Sequence, residues 1–147
     1  MISLHAVLTV VHLLGLALGL GSATAKLTLL LRSRADHEFV AVFLKVTKLL
    51  TRQIVLGLIL LVVSGIGWIL IGYPLTPLLI TKLLLVGSMF VMGPIIDHVI
   101  EPKFKALAPE MGEAPSPEFM RTQTWYLALE TAATAMFYGI VVMWVMA

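Results

Sequence analysis

The sequence predicts an all-α integral membrane protein, a four-helix up-and-down bundle with both termini outside, built by residues 1–147 as one transmembrane domain. Three observations predict it. Of the 147 residues, 60% are hydrophobic and only 12% are charged, about half the charge of an ordinary soluble domain. Four apolar runs are each long enough to cross roughly 30 Å of hydrocarbon at about 1.5 Å per residue. The segments between them are short and polar, rich in Pro, Gly and charge, as connections outside hydrocarbon must be.

The first span runs from Ile2 to Leu31 and ends at "RSRADHE". "ATA" at Ala23–Ala25 resembles a signal-peptidase site, but no Lys or Arg precedes the apolar region and the apolar pattern resumes after Lys26, so a helix that stays in the membrane is expected. The second span runs from Gln53 to Tyr73, before "GYPLTP". Lys45, Lys48 and Arg52 mark one face of the stretch ahead of it, which reads as an interfacial lead-in. The third runs from Leu78 to Ile100 and the fourth from Thr122 to Ala147, separated by "EPKFKALAPEMGEAPSPE". Ser116 followed by Pro117 is an N-cap and first-turn signature, so the fourth helix is expected to start before it enters the bilayer.

Charge sets the orientation. Arg32, Arg34, Lys45, Lys48 and Arg52 flank the first connection, and Lys103, Lys105 and Arg121 flank the third, while the second has only Lys82 nearby. The positive-inside rule therefore places the termini outside, with the bacterial inner membrane as the expected location. The net charge of +2 belongs to this asymmetry and gives no reason to expect nucleic acid as a partner. With no cysteine, disulfides, thiolate metal sites and cysteine nucleophiles are excluded. There is no phosphate-binding glycine loop, no H-E-x-x-H and no G-x-S-x-G.

The candidate site residues lie on one stripe. His5, His12, Gly19 and Lys26 recur every seven residues, a spacing that drifts only about 20° per heptad. Leu8, Gly15, Ser22 and Leu29 fill the adjoining positions. Lipid offers imidazoles and amines no partners, so this stripe is expected to face the bundle interior. His12 would lie about 14 Å below the outer boundary, where a neutral imidazole needs a hydrogen bond or a metal. Gly15 and Gly19 leave room for a flat ligand or for a closely packed helix. A b-type haem would use both features, with imidazole on iron and glycine against the porphyrin. The competing reading is small-residue helix packing, with His12 bonded to a Ser, Thr or carbonyl of another helix. His5 and His12 are about 10.5 Å apart along the axis, so one iron cannot take both. Met89 and Met136 are at matching depth as candidate second metal ligands, against the alternative that they fill the core. Lys82, at the start of the third helix, would snorkel or meet a ligand carboxylate such as a haem propionate.

At the inner side, Glu130 sits deep in the fourth helix and shares a face with Gln123, Thr134 and Tyr138. Its expected partner is Lys26, as a structural pair or as part of a proton path. Asp97, His98 and Glu101 either chelate a metal or face water. Trp68, Trp125, Trp144, Tyr73 and Tyr126 fall near span ends, as an aromatic belt does.

"LHAVLTVVHLLG", with His5 and Gly15 ten apart, and "TKLLLV" around Lys82 resemble the opening of the first and third helices of the HemJ-type protoporphyrinogen oxidases and the related CopD-like small membrane proteins. The resemblance implies a four- or five-helix bundle, haem b, His5 as the motif histidine and a redox role. This chain has His12 where that family usually has Trp, and Gly93 near a position where a histidine is typical; a haem site re-centred on His12 fits both changes. The leading expectation is thus a small membrane electron-transfer protein holding haem b, partnered by the lipid bilayer and by a quinone or another membrane redox protein. If it is an enzyme, it is a haem-dependent membrane oxidoreductase. The alternatives are a non-catalytic accessory subunit of a membrane complex or homo-oligomer, and a Met/His-lined copper-handling protein.

Overall fold

The computed structural model describes residues 3–110 and 112–146. The predicted first and last residues of the bundle's spans, Ile2 and Ala147, lie outside that range. Among the described residues the chain is all-α, with four membrane-length helical rods and no strand. Helix α1 spans Leu4–Ala35, and a single 3₁₀ turn, His37–Phe39, leads into α2, Val40–Leu70. Helix α3 spans Pro77–Ile95 and continues through a widened turn, Ile96–Ile100, into the short α4, Glu101–Ala106. Helix α5 spans Pro117–Val145.

Local chemistry sets most of these ends. The Ser3, Thr76 and Ser116 side chains each accept a backbone N–H of the first turn they cap, and Pro follows directly at Pro77 and Pro117, where its missing N–H costs nothing. The stretch carrying Lys45, Lys48 and Arg52, expected as a lead-in to the second span, is the first part of α2, which runs unbroken from Val40. Its buried residues Val40, Phe43 and Thr47 hold it against the bundle.

The widened turn has a cause in the sequence. Pro102 offers no N–H and its ring would strike the carbonyl of His98 in a continuous α-helix. The Glu101 N–H instead reaches back five residues to Ile96, a single π-type turn.

Helices α1 and α2 have the closest interface, α5 packs on α1 and α3, and α3 stands off α2. The first of these contacts depends on three glycines. A Cβ on Gly57 would lie 2.6 Å from the Gly19 Cα and 2.7 Å from the Gly15 carbonyl oxygen, and a Cβ on Gly15 would lie 2.9 Å from the Gly57 oxygen. Backbone meets backbone there, as in membrane helix pairs built on small residues. Two apolar clusters complete the core. Ala23, Leu58, Leu61, Met89, Phe137 and Ile140 fill the middle. Toward the α1–α2 turn, Phe104 stacks on Phe119 at 4.9 Å and meets Phe43 and Tyr126 edge-on at 5.9 and 5.3 Å, pairs worth about 0.5–1.5 kcal/mol each. Two cavities lie among α1, α2, α3 and α5, one toward each end of the bundle. The end carrying His5 and Trp144 is the outer one in the orientation given by the Lys/Arg distribution.

Candidate functional site

The outer cavity, of about 340 Å³, is walled by His5, His12, Trp68, Tyr73, Lys82 and Trp144, with Leu16, Leu61, Val86 and Ile140 among its apolar lining. Its volume falls in the range of roughly 300–1,000 Å³ usual for small-molecule sites, as does its mix of aromatic walls and few polar groups. His12 is half-buried and its Nδ1 lies 2.9 Å from the Ser64 Oγ on α2. Ser64 also stands 2.8 Å from the Leu60 carbonyl and 3.0 Å from that of Leu61. A hydroxyl has one proton. Given to a carbonyl of its own helix, that proton leaves the Ser64 oxygen to accept from Nδ1–H. With the proton so placed, His12 carries its hydrogen on Nδ1; with the hydroxyl donating to Nδ1 instead, the hydrogen is on Nε2.

Trp68 stands between the histidines, its ring 4.9 Å from that of His12 and 6.2 Å from that of His5. Its indole Nε1–H is buried without a partner. His5 itself is exposed at the mouth. The sequence suggests Trp68 as part of an interfacial aromatic belt and does not single out Ser64. The signal for both was their spacing of four, which puts them on one face of α2 opposite the His12 stripe.

Other expected site residues fall elsewhere. Gly15 and Gly19 are given over to helix packing: the α2 backbone covers Gly15, and the Phe137 ring stands 2.8 Å from where a Gly19 Cβ would be. Of the two uses open to them, the close neighbouring helix is the one adopted. Met89 is buried in the mid-bundle cluster and Met136 packs on it, so neither lines the cavity beside His12.

The inner site is built around Lys26, whose surface is 1% exposed. Its Nζ is 2.7 Å from Glu130 Oε1, 3.5 Å from Glu101 Oε2 and 3.8 Å from Asp97 Oδ1. It donates to Thr51 Oγ1 at 2.9 Å and lies 5.4 Å over the Tyr126 ring, a cation–π contact. The Tyr126 hydroxyl donates to Glu101 Oε2 at 3.0 Å. A second cavity, of about 50 Å³, touches Lys26, Thr51, Asp97 and Glu130.

Three expectations change here. Asp97 and Glu101 neither chelate a metal nor simply face water: four residues apart across the widened turn, both reach the buried ammonium. Among the described residues no group of three His, Asp or Glu side chains is arranged to hold a metal ion. Tyr126 is fully buried rather than part of an interfacial belt. Gln123 and Thr134 share the buried face of Glu130, but Tyr138 is 48% exposed and pairs with Thr24 at 3.2 Å. His37 and His98 sit near the inner end, far from the outer cavity.

These features define a multi-pass membrane bundle with a polar site at each end and an apolar middle. Compared with family models, with curated proteins and with solved structures, the chain has no match.

Proposed function

We propose that the chain is a small membrane redox protein that holds haem b in the outer cavity, with His12 as its ligand to iron. The observation that carries this reading is the place of His12, in the cavity wall with its Nδ1 anchored 2.9 Å from the Ser64 Oγ. Metal-bound histidines commonly have one ring nitrogen held by a neighbouring polar group, which leaves the other for the metal. Lys82 supports it as the ammonium in the same wall, a partner for a ligand carboxylate. Trp68, Tyr73 and Trp144 supply faces for a flat apolar ring. His5 guards the mouth, too far along the same helix to share the iron. Haem supplies one-electron chemistry when bound; the chain positions the ring, excludes water from its inner edge through Leu61, Val86 and Ile140, and exchanges electrons with a quinol-like or protein donor in the bilayer.

A visible spectrum of the purified protein, as isolated and after haem addition, tests this. His12→Ala loses the Soret band, His5→Ala keeps it, and Ser64→Ala weakens haem retention about 10- to 100-fold, the usual cost of losing an outer-shell partner. A folded protein that stays colourless with haem supplied overturns the reading. The accessory-subunit alternative would then lead, supported by the fact that Gly15, Gly19 and Gly57 serve helix packing alone.

A further inference from the structure

We propose that the inner cluster is a proton-binding site, loaded from the inner aqueous phase and independent of what the outer cavity holds. The argument is one of charge and place. Around the single ammonium of Lys26 stand three carboxyls, those of Glu130, Asp97 and Glu101, all within 4 Å. Among the described residues, the polar groups facing them from the other packed elements are the hydroxyls of Thr47 and Thr51 on α2 and of Tyr126 on α5, with His98 exposed beside Asp97. Fully ionised, this set would hold a net charge of −2 in a medium where unbalanced charge is costly. Protons held by the carboxyls would balance that charge. A proton passes from hydronium to a carboxylate oxygen and leaves water; nothing else is consumed.

Two observations beyond the acid count support a site that exchanges. Side-chain exposure falls from 24% at Asp97 and 20% at Glu101 to 4% at Glu130, a graded path from the surface inward. At its end Glu130 is buried, with the Lys26 ammonium 2.7 Å from Oε1 as that oxygen's one strong polar contact, and the carboxyl borders the 50 Å³ cavity. That cavity has room and partners for a water. Leu58, Leu61, Met89, Phe137 and Ile140 pack between it and the outer cavity, so loading is from one side.

Infrared difference spectroscopy of the full chain in lipid vesicles tests this. The expected result is a carbonyl stretch of a protonated carboxylic acid at neutral pH, shifted in D₂O and lost on alkaline titration. It disappears or moves in at least one of Glu130→Gln, Asp97→Asn and Glu101→Gln and is unchanged in Glu118→Gln, an exposed carboxyl 3.1 Å from Lys103. A wild-type spectrum with no such band at neutral pH overturns the proposal, and that measurement needs no variant to fold. A band indifferent to all three variants overturns it equally.

Discussion

The two ends of this bundle handle buried polarity in opposite ways. At the outer end, polar groups are few and spread around open space: His12 has one neutral partner in Ser64, and the opposing Lys82 lines the same wall. At the inner end, charge is concentrated and the space is nearly filled, with one ammonium touching three carboxyls, a hydroxyl and an aromatic face. Removing a neutral group from an open cavity strands little. Removing the one cation from a filled cluster strands every acid around it. The outer end is therefore suited to receive something large, and the inner end to hold charge tightly and exchange only what is small.

Lys26→Met is expected to break the inner end with the largest effect of any single change. It leaves Glu130 buried without its cation, and a broken buried pair of this kind costs about 3–5 kcal/mol, read as loss of folded protein or a lowered Tm in detergent. Adding Glu130→Gln should recover part of that loss. The double change should differ from the sum of the singles by about 0.5–3 kcal/mol, and additive losses would show that the pair is not coupled.

Gly57→Val comes next, because a side chain there meets the Gly19 backbone. Overpacking of this kind costs about 1–3 kcal/mol and should separate α1 from α2, which disulfide trapping between cysteines introduced on the two helices would report. The same separation pulls Ser64 from His12, so haem retention should fall with it.

At the outer end, His12→Ala should remove only about 0.5–1.5 kcal/mol of stability, the net worth of one neutral hydrogen bond, while abolishing the Soret band. A loss as large as that of Lys26→Met would mean that His12 belongs to the structural frame and erase the contrast between the ends. The smallest effect is expected at the exposed pair of Lys103 and Glu118, whose side chains are 53% and 61% exposed. Breaking it by Glu118→Gln should shift thermal stability by at most about 1 kcal/mol, and less in salt.

Much of this was legible in the chain itself. Apolar length, Pro- and Gly-marked breaks and the caps at Ser116 and Pro117 give four membrane-length rods, because helix formation in hydrocarbon is a local rule: each segment must satisfy its own backbone. The heptad stripe and the depth of Glu130 pointed to Lys26 and Glu130 as partners, and the structure places them 2.7 Å apart. What the sequence could not decide was which of two chemically similar uses each residue takes. Gly15 and Gly19 suit a flat ligand or a neighbouring backbone, and only the position of Gly57 on α2 selects the second. Asp97 and Glu101 suit water or a buried cation, and the turn that Pro102 widens, together with the approach of α1, brings them to Lys26. Trp68 and Tyr126 read alike as interfacial aromatics, yet one walls a cavity and the other is sealed in the core. The periodicity of a helix tells which residues share a face, but what that face meets depends on how separate helices pack, and that is a non-local property.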